Sequence, residues 1–377
     1  MNLIERNKDV LTGSRDLEKL HSLMKFPVFM GCVDHPRIED LFAELTWQIS
    51  KESGFLQVAK LIPLDILYQS QHVSSVGKIW LDHHRKFSQF LKDQNPSDIL
   101  ELGGAHGKLS KEYHAQFGQI SWTIVEPNPS PVDGCEARFI KGFFDEKFTY
   151  DQTFDTVVHS HVFEHIYDPD QFMYQLSSFI DSGKNLIFSV PNLKEWLKRK
   201  YPTSINFEHT TFLTESYIEF LLAKHGFKLT QKEYFMEEHS IFYATIRDLS
   251  VKKVELPSSL YEKNKKLFLD YVYYHEDLVE NLNKRINETV NPIYLFGAHI
   301  FSQYLIVTGL DTSRVVCLLD NDINKQGKRL YGTNLMVQSP NILRNIKDPV
   351  IILKAGVYNQ EIKEDIVSNI NNKANFI

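Results

Sequence analysis

The stretch "DILELGGAHGKL" (98–109) limits the fold more than any other part of the chain. A short apolar run ends in glycines and passes at once into residues at helical spacing. It reads as a buried strand, a tight turn and a helix N-terminus. Three more apolar runs follow: "SWTIVEPNP" (121–129), "FDTVVHSHVFEH" (154–165) and "KNLIFSVPN" (184–192), with helical segments between them. This alternation implies an α/β fold with a parallel sheet and helices on both faces, because parallel strands need crossovers.

The glycine loop also suggests a ligand. Gly103, Gly104 and Gly107 allow a tight turn and a close approach to the backbone. The N–H groups that open the next helix favour an anionic group. Glu126 ends the second strand, 25 positions after Glu101, where a carboxylate can accept hydrogen bonds from both ribose hydroxyls. A dinucleotide and S-adenosylmethionine compete for this site. The spacing is Gly103-x-x-x-Gly107 rather than G-x-G-x-x-G, and Glu101 precedes the loop. An acid there repels a pyrophosphate but suits the methionine amine or the sulfonium. S-adenosylmethionine is the expected cofactor; a turn with no ligand is the plain alternative.

The flanks differ from the middle. Residues 1–95 begin with a stretch that reads as a charged helix. Strands are then expected in "LTWQIS" (45–50) and "GFLQVAKLI" (54–62). Residues 74–94 form a helix whose apolar face is Val76, Ile79, Trp80, Phe87, Phe90 and Leu91, broken by "NPS". After the middle unit (96–250), residues 251–288 hold one long connecting helix. Residues 289–377 start a second strand–helix series with "NPIYLFGAH", "RVVCLLDND" and "DPVIILKAG". Gly297 in a turn and Asp320 at a strand end resemble half of a nucleotide-binding fold, without a full glycine fingerprint. "KQGKRLYGT" (325–333) reads as a loop.

Composition narrows the setting. Hydrophobic content is 42%, charged content 24% and net charge −6. No basic field for nucleic acid is expected. No apolar run approaches the roughly 20 residues that span a bilayer, and the N-terminus has no apolar leader, so no membrane partner is expected. Cys32, Cys135 and Cys317 form no Cys-x-x-Cys pair. The expected location is the cytoplasm. Oligomeric state is left open.

"ILELGGAHGKL", "IVEPNP", "HSHVFEHIYDPDQFM" and "NLIFSVPN" together resemble the successive motifs of class I S-adenosylmethionine-dependent methyltransferases. With "SSVGKIWLDHHRKF", "EHTTFLTESYIEFLLAKHGF" and the tail segments "YLFGAHIFSQYLIVTGLD", "LLDNDINKQGKRLYGTNLMVQSP" and "GVYNQEIKEDI", the chain resembles the nucleotide-sugar C-methyltransferase family over most of residues 40–377. The resemblance implies a class I methyltransferase Rossmann-like sheet, a small N-terminal α+β region, and a second Rossmann-like domain that helps form the substrate cleft and binds no dinucleotide. It implies a nucleotide-linked sugar as substrate and S-adenosylhomocysteine as product. Glu101, Gly103, Gly104, Ala105 and Gly107 would line the methionine part, and Glu126 and Pro127 would meet the ribose. Phe143 or Phe144 would flank the adenine, with His161 near the methyl group and Ser75 completing the set. For His161 and His165 the alternative is hydrogen bonding at a helix start. Glu164 and Asp168 can likewise serve a helix N-terminus.

Two departures from that family matter. Ser50 and Ser53 stand where zinc-binding cysteines are usual, so no zinc and no other metal is expected. His72 and Asn206 stand where tyrosines are usual. The resemblance still favours carbon methylation through a base-formed enolate, with sugar oxygen methylation as the alternative and a non-catalytic cofactor-binding scaffold as a further one. In "NFEHTTFLT" (206–214), His209 is the expected base, Glu208 its substrate-side neighbour and His72 a second candidate. The plain alternative is a turn into a helix capped by Thr214.

Overall fold

In the computed structural model, residues 1–68 and 77–377 are described. His72, Ser75 and Val76 lie outside them.

The middle of the chain builds a seven-stranded sheet. Its strands lie in the order Phe227–Phe235, Ser240–Arg247, Asn185–Pro191, Thr156–Ser160, Asp98–Leu102, Ser121–Glu126 and Arg138–Lys141. The four expected strands are present, parallel and adjacent in that order. Ser240–Arg247 runs antiparallel between its two neighbours. The sheet is Rossmann-like, with its first strand central, as the resemblance implies. The four runs read from the sequence do not include the last two strands, Phe227–Phe235 and Ser240–Arg247, so the core continues past Pro191. Phe227–Phe235 is an edge strand whose charged positions hide its inner face, and only the hairpin with Ser240–Arg247 gives that face a partner.

Helix Lys78–Lys92 belongs with this sheet in packing. Its Phe87, Phe90 and Leu91 are buried with Ile99, Leu109, Trp122 and Ile124. On the other face of the sheet, Phe172, Met173 and Leu176 of helix Pro169–Phe179 pack against Leu100, Val157 and Phe188.

The N-terminal region corrects one expectation. Its opening residues hold no helix. Ile4–Glu5 pairs with Lys60–Leu61, and Leu17–Pro27 is a strand on Phe42–Ser50, which also pairs Leu56–Val58. Charged residues on one face suggested a helix; pairing with a strand that is itself buried decides otherwise. Apolar burial is expected to hold these strands without a metal: Phe26, Val28, Leu45, Trp47, Phe55 and Val58 are buried, whereas Phe29 is only half-buried. The two serines in the cysteine positions join a hydrogen-bond knot. Ser53 Oγ donates to Asp9 Oδ2 at 2.6 Å, Ser53 N donates to Ser50 Oγ at 3.3 Å, and Asp9 also accepts from Leu11 N and Thr12 Oγ1.

Helix Leu260–Glu288 runs along both flanks. Phe268 packs on Trp47, while Val279, Leu282 and Ile286 join the tail core. The tail sheet is parallel, in the order Val337–Gln338, Val315–Leu319, Ile293–Phe296, Val350–Leu353, Asn375–Phe376. Segment 325–333 is not wholly a loop. Arg329–Leu330 pairs antiparallel with Cys32–Val33, and the Arg329 guanidinium forks onto Asp40 at 2.7 and 2.8 Å. That buried fork fastens the tail to the N-terminal region.

Candidate active site

The C-terminal ends of the central strands face the tail domain across one continuous cleft of about 2400 Å³. Its walls come from the glycine loop, the loop carrying His209, and the tail segments around His299 and Asp320.

The glycine loop has the expected shape. Gly103 and Gly107 have φ of +70° and +68°, and Gly107 N donates to Gly104 O at 2.7 Å. A side-chain carbon on Gly107 would meet Cys135 Sγ at 2.4 Å, and one on Gly103 would meet Val162 at 2.6 Å. Glycine is therefore required at both positions by conformation and by space. Glu126 closes the loop. Its Oε2 accepts from Ala105 N and its Oε1 from Asn128 N, both at 3.0 Å. Each oxygen keeps a lone pair, enough for a diol. Pro127 and Phe143 line the same wall, and Phe143 is 49% exposed. Phe144 instead turns partly into the core, edge-on to Phe179 at 5.3 Å. Of the two, Phe143 is better placed to cover a flat ring.

Glu101 lies beneath the loop and accepts from Trp122 Nε1 at 2.8 Å. Burial pushes its carboxyl up to about 7, although the Trp122 bond opposes the rise. A cation in the cleft beside it would draw it into the ionised form. An acid beneath a glycine loop, with a diol acceptor at the next strand end, fits S-adenosylmethionine better than a pyrophosphate.

Residues 78–232 match the methyltransferase domain family. No curated protein matches the chain. Solved structures similar to this domain include the plantazolicin methyltransferase BpumL in complex with a monoazolic desmethylPZN analog and SAH, at 14% identity and TM-score 0.36, over 45% of this chain and 84% of that one. A second is an S-adenosylmethionine-dependent methyltransferase from Mesorhizobium loti, at 12% identity and TM-score 0.37, over 44% of this chain and all (100%) of that one. A third is a possible histamine N-methyltransferase from Thermotoga maritima, at 17% identity and TM-score 0.34, over 45% and 93%. Among the described residues no helix is long and apolar enough to cross a membrane.

Within the methyltransferase domain, the acid–imidazole pair is held from several sides. Asn206 Oδ1 accepts from the backbone N–H of Glu208 at 2.7 Å and of His209 at 2.8 Å, and its amide donates to Thr203 O. The next residues join the N-terminal sheet: Val58 N donates to Thr210 O, Phe212 N donates to Leu56 O, and Thr211 bridges Gln57. Arg6 adds a clamp that sequence reasoning missed. Its buried guanidinium donates to Thr210 O at 2.9 Å and to Tyr167 O. It therefore ties the His209 loop to the segment that carries His165. Thr214 does precede helix Glu215–Lys224, but its side chain makes no capping bond. Asp168 does cap, accepting from Gln171 N at 2.9 Å.

His209 shares the cleft wall with His165, ring centroids 5.1 Å apart, and Glu208 Oε2 lies 3.9 Å from His165 Nδ1. Burial and the neighbouring His165 push His209 down to about 4, against the opposing pull of Glu164 and Glu208. At neutral pH its imidazole carries a free lone pair. Burial alone would raise Glu164, but the His161 hydrogen bond and three nearby imidazoles outweigh it and hold this acid at about 2. Glu164 thus serves His161, at 3.2 Å from its Nδ1, rather than a helix start. His161 itself has φ of +54° and meets Ser240 Oγ at 2.9 Å. The sequence reading also missed His83 and His239. "DHHRK" and "EEHSI" were visible, but nothing in their spacing says that they meet.

Proposed function

We propose that this protein transfers the methyl group of S-adenosylmethionine to a nucleotide-linked sugar and releases S-adenosylhomocysteine. The size and continuity of the cleft carry this reading. At about 2400 Å³ it exceeds the roughly 300–1,000 Å³ of an ordinary small-molecule site, so it has room for a cofactor and a second large ligand. The glycine loop takes the cofactor, His209 faces the space beyond it, and the tail domain closes the far wall.

For carbon methylation His209 removes the proton beside a ketone. The resulting enolate carbon then attacks the methyl group in line with the departing thioether. Glu208 holds a sugar hydroxyl. The enolate oxygen needs a donor. Asn206, where a tyrosine hydroxyl was expected, has its oxygen on two backbone N–H groups and its amide on Thr203. That commitment favours a second reading, oxygen methylation, in which His209 only accepts a hydroxyl proton.

Incubation with labelled S-adenosylmethionine and a panel of nucleotide sugars should label one of them, and NMR of the product distinguishes a C-methyl from an O-methyl group. His209→Gln should lower kcat at least about a hundredfold, within the usual span of acid–base catalysis, while calorimetry finds cofactor affinity unchanged. Label transfer to none of the sugars, or an unaffected His209→Gln, would overturn the reading. Calorimetric binding of NAD in place of S-adenosylmethionine would point to an oxidoreductase, and cofactor binding without turnover on any acceptor to a scaffold.

A further inference from the structure

Beside the proposed base lies a second imidazole cluster that proton abstraction by His209 does not use. His83 comes from helix Lys78–Lys92, His161 follows strand Thr156–Ser160, and His239 precedes strand Ser240–Arg247. Each offers a ring nitrogen within 4.8 Å of the other two. The ring centroids are 5.2 Å apart for His83 and His161, 5.4 Å for His83 and His239, and 6.0 Å for His161 and His239. Three imidazoles on one tetrahedral ion, at about 2.1 Å per metal–nitrogen bond, have centroids roughly 5 Å apart. The rings stand close to that spacing, and their nitrogens, within 4.8 Å of one another, draw in to about 3.4 Å on such an ion.

The surroundings prepare the rings as ligands. Glu164 Oε1 lies 3.2 Å from His161 Nδ1, the carboxylate–imidazole pairing that fixes a tautomer and leaves the other nitrogen free to bind a metal. That other nitrogen, Nε2, shares Ser240 Oγ with His239 Nδ1, at 2.9 and 2.6 Å. His83 Nε2 meets Ser189 Oγ at 2.9 Å, and its Nδ1 is buried without a hydrogen-bond partner. A hydroxyl network thus leaves one buried ring nitrogen orphaned. Trp80 covers the group, 4.9 Å from both His161 and His239. Trp80, His161 and His239 line the cleft, so an oxygen in the cleft can supply a fourth ligand.

We propose that His83, His161 and His239 bind one divalent transition-metal ion of the kind that prefers imidazole, such as zinc or iron. The neighbouring group Glu164, His165 and His209 has comparable spacing, and the test separates the two.

Chelator-stripped protein is titrated with Zn²⁺ by calorimetry and with Co²⁺ by visible absorption. One ion per chain is expected, with the ligand-field band of a tetrahedral cobalt site. His83→Gln and His239→Gln should each weaken binding at least about tenfold, and His165→Gln should leave it unchanged. X-ray absorption at the zinc edge of the unsubstituted protein needs no variant to fold, and it should count three imidazole ligands. Absence of binding, fewer than three imidazoles, or an equal loss in His165→Gln would overturn the proposal.

Discussion

The methyltransferase domain and the tail domain carry the same clasp. In the first, "GGAH" follows the opening strand and Ala105 N donates to Glu126 Oε2 at 3.0 Å. In the second, "FGAH" follows its opening strand and Ala298 N donates to Asp320 Oδ2 at 2.9 Å. Each acid also takes the N–H two residues on, from Asn128 and from Asp322. The difference lies in what else the acid meets. Lys325 Nζ sits 3.1 Å from Asp320 Oδ2, whereas among the described residues no cation pairs with Glu126. The first clasp leaves its acid without a paired cation, as the proposed ribose contact requires; the second pairs its acid inside the protein. The turn and acid are shared by both folds, and Lys325 is what sets the tail clasp apart from the proposed ligand site. This supports the reading that the tail domain holds no dinucleotide.

Acid gives the largest contrast between the two halves. Burial holds His84 and His209 at about 4 and His159 at about 3 in the methyltransferase domain, and His299 at about 4 in the tail. The unfolded chain protonates its histidines first, near pH 6.5, so stability is full above that pH and falls as pH drops toward 4. Each such histidine removes roughly 1.4 kcal/mol per pH unit across the window. Glu101, raised to about 7, acts in the opposite sense between about 4.5 and 7 but is a single group. Hydrogen exchange on the metal-free chain, moved from pH 7 to 5, should show the methyltransferase sheet losing protection before the tail sheet.

Glycine replacement gives the next contrast. Gly107→Ala should cost about 2–4 kcal/mol, combining the left-handed conformation with the contact to Cys135. Gly297→Ala meets no atom nearer than 3.9 Å and should cost about 1–2 kcal/mol. Urea midpoints measure both. Glu126→Gln should then weaken S-adenosylmethionine binding by about 1.5–3 kcal/mol, the range for hydrogen bonds to a charged group, while Asp320→Asn leaves it unchanged in calorimetry. Equal losses would dissolve the distinction between the clasps. Lys325→Ala is the smallest change in binding, with no effect on cofactor affinity, although removing the cation from a largely buried pair destabilises the tail.

Much of the cofactor side was legible before any coordinates. Gly103, Gly107 and Glu126 are local signals, since a strand end, a turn and the next strand end set them within thirty residues. The substrate side was legible only in part. His209 stood out beside Glu208, but its fall from the ordinary 6.5 to about 4 comes from burial that no neighbour in sequence reveals. Arg6 gave no signal, because its partners Thr210 and Tyr167 lie far along the chain. The opening residues misled as a helix, since their strand partner is a later segment.

The sequence by itself determined the alternation of elements, the cofactor loop and the kind of ligand that loop suits, because backbone geometry and short-range spacing are local properties. The tertiary structure alone decided that Ser240–Arg247 runs antiparallel, that three histidines from distant segments meet under Trp80, and that the tail's acid is neutralised. Those outcomes depend on which surfaces are buried against each other, and burial is settled only when the whole chain has packed.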